Sequence, residues 1–141
     1  MQKKDPAFTL IELTLVIVVV VSLAAIAMPL YTKTKQRMVQ KEGLVNLKLI
    51  ATGEIVGRMR LGDYVDCSCS SAATCTGASG CSALLKIVLN TQNWSYSVAT
   101  AGSTGSKTAT ITAAAKNGNC TYTLTSADFD TKDFSSSAGC I

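Results

Sequence analysis

The sequence predicts an α+β fold: one long N-terminal helix packed against a small antiparallel β-sheet of about three strands, with disulfide-tied loops. Three observations lead there. Residues 13–28 form an uncharged run of mostly Val, Leu, Ile and Ala, and apolar residues continue at helical spacing as far as residue 61. From residue 93 onward the hydrophobic period changes to two. All six cysteines, Cys67, Cys69, Cys75, Cys81, Cys120 and Cys140, lie in the second half of the 141 residues. That length holds about one globular domain. The chain divides into a short basic segment (1–7), an apolar helix (8–30), an amphipathic continuation (31–61) and a head (62–141).

The apolar helix comes first. Residues 8–30 would make about 34 Å of helix, enough to cross a hydrocarbon core of about 30 Å. Lys3 and Lys4 precede it, so the positive-inside rule places the N-terminus in the cytoplasm and everything after Leu30 outside. An even number of cysteines downstream of an export segment reads as disulfides formed in an oxidising, extracytoplasmic space. Ligation of a soft metal by the first four is the alternative, but a chain with no His outside the cytoplasm favours bridges. No metal and no cofactor are expected. Glu12 places a carboxylate five residues into the apolar segment, where a charge is costly and calls for a function. Pro29 stands at the far end. Ala25-Ile26-Ala27 offers an ordinary signal-peptide cleavage pattern, which would leave Glu12 unexplained.

Beyond Pro29, Val45, Leu49, Val56 and Met59, with Leu44, Leu47 and Ile55 alongside, recur at helical spacing, while Lys41, Glu42, Lys48, Glu54 and Arg58 fill other positions. A helix over 8–61 would measure about 80 Å, far more than a small domain is wide. Its first half must then protrude, open to partner helices. Gly43, Gly53 and Gly57 each weaken the helix by about 1 kcal/mol relative to Ala, and Gly53 and Gly57, four apart, would either admit close packing by the sheet or simply leave the helix locally flexible. The net charge is +4, and residues 31–61 carry seven Lys/Arg against two Glu, whereas 62–141 carry four Lys against five Asp. Only Tyr31 is interleaved with the basic residues, so no nucleic acid partner is expected.

In the head, residues 62–81 are rich in Ser, Gly, Ala, Thr and Cys and read as a loop pinned by disulfides. Residues 82–90 read as a buried element that periodicity does not assign. Trp94, Tyr96 and Val98; then Ala109, Ile111, Ala113 and Ala115; then Cys120, Tyr122 and Leu124 alternate with small or hydroxyl residues and mark three strands. Asn117-Gly118 and the segment from Gly102 to Gly105 supply the turns. Asp128, Asp130 and Asp133 raise a calcium loop as a possibility, but the Gly of an EF-hand loop is missing and a solvated polar loop is the better reading. The absence of His and of any acyl-transfer or phosphate-loop spacing argues against catalysis, so an enzyme is not expected.

Ala7-Phe8-Thr9-Leu10-Ile11-Glu12-Leu13, after a short basic segment and before an apolar run, resembles the prepilin cleavage and methylation motif of type IV pilins and type II secretion pseudopilins. The specific resemblance covers residues 7 to about 31. It implies that residues 1–7 are a prepilin leader, that a prepilin peptidase cuts between Ala7 and Phe8, and that the same enzyme methylates the new Phe8 terminus. The family prefers Gly where this chain has Ala7. Pro29 falls where the family has a helix-kinking proline. The resemblance further implies a Cys120–Cys140 bridge closing a C-terminal region, with three pairings left open to Cys67, Cys69, Cys75 and Cys81.

The function implied is that of a structural subunit assembling through Phe8, Glu12 and Pro29 into a helical homo-oligomeric filament. Its partners would be copies of itself, the prepilin peptidase, the inner-membrane assembly machinery and the membrane. Before assembly it would be a single-pass inner-membrane protein, and afterwards part of a cell-surface filament. A pseudopilin of a secretion or competence system is the alternative within the class, and a membrane-anchored binding module the alternative outside it. Physically, the Phe8 amine and the Glu12 carboxylate, buried singly, would each cost several kcal/mol. Paired between neighbours they would fix the axial offset of one helix against the next. Otherwise Glu12 snorkels or is protonated in place.

Overall fold

A computed structural model describes residues 9–129, 133–137 and 139–140. The chain forms two compact units, residues 1–37 and 38–141. A helix, α1 (Leu10–Leu61), contributes to both, and each unit is taken in turn.

In the first unit, Thr9 opens α1. Its carbonyl accepts from the Glu12 and Leu13 N–H groups at 3.1 and 3.2 Å, and its hydroxyl from the Glu12 N–H at 3.3 Å. Thr at the cap with Glu three residues on is the sequence pattern of a capping box. The described residues that follow, as far as Arg37, are all exposed, and the most apolar 18-residue window has a mean hydropathy of 2.8. Polar groups in this stretch are dealt with locally. The Thr14 hydroxyl donates to the Ile11 carbonyl at 2.9 Å and the Ser22 hydroxyl to the Val19 carbonyl at 2.7 Å, so neither offers an unpaired donor to lipid. The helix runs through Pro29. Proline has no N–H, so the Ala25 carbonyl loses its usual partner there.

The second unit is a five-stranded antiparallel sheet in the order β1 (Cys67–Cys69), β2 (Trp94–Ala101), β3 (Thr108–Ala115), β4 (Thr121–Thr125) and β5 (Ser135–Ser136), with the later part of α1 packed on it. The inner face carries the rows Cys67–Val98–Ile111–Leu124 and Cys69–Tyr96–Ala113–Tyr122, all buried. The α+β class and the strands β2, β3 and β4 stand as the alternation predicts. β1 lies inside the segment read as loop, which also contains α2 (Ala72–Thr76) and leads into α3 (Cys81–Leu85). Ser71 and Thr74 form a reciprocal capping box at the start of α2. β5 pairs with β4 from within the polar tail. In residues 82–90, Leu85 and Leu89 are buried but Val88 is 91% exposed, which corrects the reading of one buried element.

The helix face needs a larger correction. The buried positions of α1 are Gly43, Leu47, Ile50, Ala51, Gly53, Glu54 and Gly57, whereas Val45, Leu49, Val56 and Met59 are 38–74% exposed. Glycines carry no apolar weight and a glutamate counts as polar, so the bulkier outer residues dominate the periodicity. Trp94, fully buried, explains Gly43: a Cβ at that position would overlap the indole. The indole Nε1 donates to the Val39 carbonyl at 2.7 Å. Tyr122 stacks on Trp94 with ring centroids 5.6 Å apart, and Phe134 meets Tyr122 edge-on at 5.5 Å. Gly53 faces Leu85 of α3 and Ile87. The close packing expected there is thus against α3 and the segment after it instead of the sheet.

Candidate functional site

Of the residues the sequence singles out for processing, Ala7 and Phe8 lie outside the described residues, as do residues 1–6. Glu12 sits in the first turn of α1, the only charged side chain between residues 9 and 32. A carboxylate there is favoured by the helix dipole by about 0.3–1 kcal/mol. Its neighbours Leu10, Ile11 and Leu13 are 80, 75 and 55% exposed, so the carboxylate is flanked by open apolar surface. Pro29 is 17 residues further along, about 26 Å at helical rise. The two bracket the apolar run and do not meet.

The cysteines do come together. Cys120 bonds Cys140, Cys67 bonds Cys81, and Cys69 bonds Cys75, with no free cysteine among the described residues. Cys67 and Cys69 are i and i+2 on β1 and face the same buried side. One reaches 14 residues forward to α3 and the other 6 to α2. Gly80 makes this compact: a Cβ there would overlap the Cys75 carbonyl. Closing loops of these lengths stabilises the head by about 2–3 kcal/mol per bridge in the chain-entropy model.

Asp128 accepts a hydrogen bond from the Thr125 hydroxyl, Asp133 is exposed, and Asp130 lies outside the described residues. Among the described residues no three His, Cys, Asp or Glu side chains cluster as a metal site. Two other aspartates act as clamps. Asp63 accepts from the Gly105 and Lys107 N–H groups at 2.6 and 3.3 Å, and Asp66 from the Thr100 N–H and hydroxyl at 2.7 and 2.9 Å. These hydrogen bonds hold both carboxyls below the ordinary carboxylate range. An open hollow of about 490 Å³ is lined by Ile55, Met59, Phe129 and others. The Arg58 guanidinium lies 4.9 Å from the Tyr64 ring centroid and donates to its hydroxyl at 3.2 Å.

Glu54 is the residue the sequence reading misplaces. It is fully buried, its Oε2 accepts from the Val65 N–H at 3.1 Å, and its Oε1 has no hydrogen-bond partner among the described residues. The series 43, 47, 50, 54, 57, stepping by three and four, is the signal that places it on the covered face. Burial pushes its carboxyl above the ordinary value of 4.5; the Val65 N–H works against this and nearby Asp66 adds to it. The folded head therefore binds the proton more tightly than the unfolded chain. Stability should fall as pH rises from 4.5 through the raised folded value. Asp63 and Asp66 act oppositely, losing their contribution only as pH drops below the ordinary Asp range. The chain has no His, so the raised Glu54 carboxyl is a group that acts in the mildly acidic window. We expect thermal melts of the full chain in detergent to show a higher Tm near pH 5 than near pH 7, and Glu54→Gln to flatten that slope. An equal slope in the variant would assign it to another group.

Compared with family models, curated proteins and solved structures, the chain matches none. The architecture itself is pilin-like: a long, apolar N-terminal helix whose later part packs on an antiparallel sheet fastened by disulfides. The apolar helix and the disulfides point to a membrane and extracytoplasmic location.

Proposed function

We propose that the chain is a structural subunit of a type IV pilus-like filament, processed by a prepilin peptidase, assembled through its N-terminal helix, and without catalysis of its own. The observation that carries this reading is the lone Glu12 carboxylate in the first turn of an exposed apolar helix. In a lipid anchor alone a carboxylate at that depth would serve only the first turn of the helix, a role worth about 0.3–1 kcal/mol set against the cost of a charge in the apolar segment. A filament that buries many copies of the helix uses it to set register. A membrane-anchored binding module, the rival from another class, would tolerate its loss.

Electron microscopy of cells with and without the gene tests the reading most directly, since filaments should be lost with the gene and return on complementation. Processing supplies a second test. Mass spectrometry of the exported protein should give a chain that begins at Phe8 and bears one N-methyl group. Ala7→Gly should raise the processed fraction, because the family prefers Gly before the cut. A mature chain starting after Ala27 would identify the apolar run as an ordinary signal peptide and end the filament proposal.

A further inference from the structure

We propose that Lys33, Lys35 and Arg37 form a belt that binds anionic phospholipid headgroups at the outer face of the membrane. The proposal rests on the reading of residues 8–30 as a membrane span and needs nothing about filaments.

The three cations lie within five residues, in the same compact unit as the apolar run, and all are exposed. At 1.5 Å per residue they fall about 5, 8 and 11 Å beyond Leu30 along α1. Headgroup layers extend roughly 5–8 Å past each side of the hydrocarbon core, and Lys and Arg side chains can reach back along the helix. Tyr31, 70% exposed, sits between the run and the belt, where an aromatic ring with a polar tip suits the interface. No acid lies between Glu12 and Glu42, so this stretch carries no compensating charge.

The arrangement around the helix favours lipid over other anions. At about 100° per residue, Lys33 and Arg37 project roughly 40° apart and Lys35 on the opposite side. A nucleic acid or an acidic protein would meet one face. A ring of headgroups surrounds the helix and meets all three. This corrects the orientation read from Lys3 and Lys4: counted on both sides, three basic residues follow the span closely and only two lysines precede it, so the orientation rests on the disulfides and not on the charges. Headgroup contact on the exported side gives those cations a role there, holding the helix at fixed depth in the membrane.

The full chain is reconstituted in phosphatidylethanolamine vesicles with a minority of phosphatidylglycerol and excised in copolymer discs, and the disc lipids are counted by mass spectrometry. Each cation should favour an anionic headgroup about fivefold at its own contact, so discs around the wild-type chain should hold about one more phosphatidylglycerol per chain than protein-free discs from the same vesicles. The triple variant Lys33→Gln, Lys35→Gln, Arg37→Gln should return them to bulk composition. A variant losing Lys48, Arg60 and Lys86 should keep the enrichment. Resistance to alkaline carbonate extraction separates the two layers of the argument. A chain that is extracted does not span, and both readings fall. A resistant chain with bulk lipid composition overturns the belt alone. Labelled duplex DNA captured through the same three residues, without lipid enrichment, would likewise overturn it and assign the belt to nucleic acid.

Discussion

Glu12→Ala should leave leader cleavage and membrane insertion intact and abolish filament assembly or reduce it to traces. Removing a charge from an apolar run makes insertion easier. If the carboxylate pairs with a neighbour's Phe8 amine, the mutation strands that amine in the packed core, a cost of about 3–5 kcal/mol per subunit. The loss recurs at every contact, so yield should collapse. Glu12 also occupies the third position after Thr9, with the Thr9 hydroxyl accepting from its N–H, and this offers a local reason for its presence. The local role is worth only about 0.3–1 kcal/mol, too little to stop assembly. Glu12→Gln separates the two, because Gln serves a capping box as well as Glu does but carries no charge. It should fail as completely as Ala. The measurement is sheared-filament yield beside the processed, membrane-bound pool. Normal filaments from either variant would mean that Glu12 does not set register and lies at the lipid surface, snorkelling or neutral.

The parts of the fold legible in the sequence are those with local signals. Strands β2 to β4 follow from alternation over five to eight residues. The turns follow from Gly102, Gly105 and Gly118, all at positive φ. What escaped depends on partners distant in sequence. β1 and β5 have three and two residues, too short to alternate, and exist because β2 and β4 offer them edges. The bridges of Cys67 and Cys69 depend on β1, since only a strand puts residues i and i+2 on one face. The covered face of α1 was hidden because its close contacts are made by glycines and its most buried charge, Glu54, is the kind of residue that usually marks the solvent side. Glu12 and Pro29 were legible as an outlier and a breaker in an otherwise uniform run. Their relation to each other is only that they bracket it.

The covered face supports the largest expected effect on the head: Gly43→Ala should destabilise it by about 3 kcal/mol. In an exposed helix this change would help by about 1 kcal/mol. Here the new Cβ would overlap the Trp94 ring, and the ring has no direction in which to retreat. It is fully buried, its Nε1 is held by the Val39 carbonyl, and Tyr122 covers it in a stacked contact. Moving it would leave a buried donor unpaired, at about 1–3 kcal/mol. It would also strain the surrounding packing by a similar amount, which together outweigh the helical gain. Gly57 is the control on the same face. A Cβ there would meet only Leu85 Cδ2 at 3.6 Å, an ordinary contact, so Gly57→Ala should raise stability by about 0.5–1 kcal/mol. Both are read from the thermal midpoint of the full chain in detergent, with near-ultraviolet circular dichroism reporting the Trp94 environment. Truncating Trp94 to Leu should be costly in the parent but add much less to Gly43→Ala, since it removes the overlap. If the two single effects simply added, or if Gly43→Ala stabilised the head as Gly57→Ala should, the indole would not be seated on the helix at Gly43.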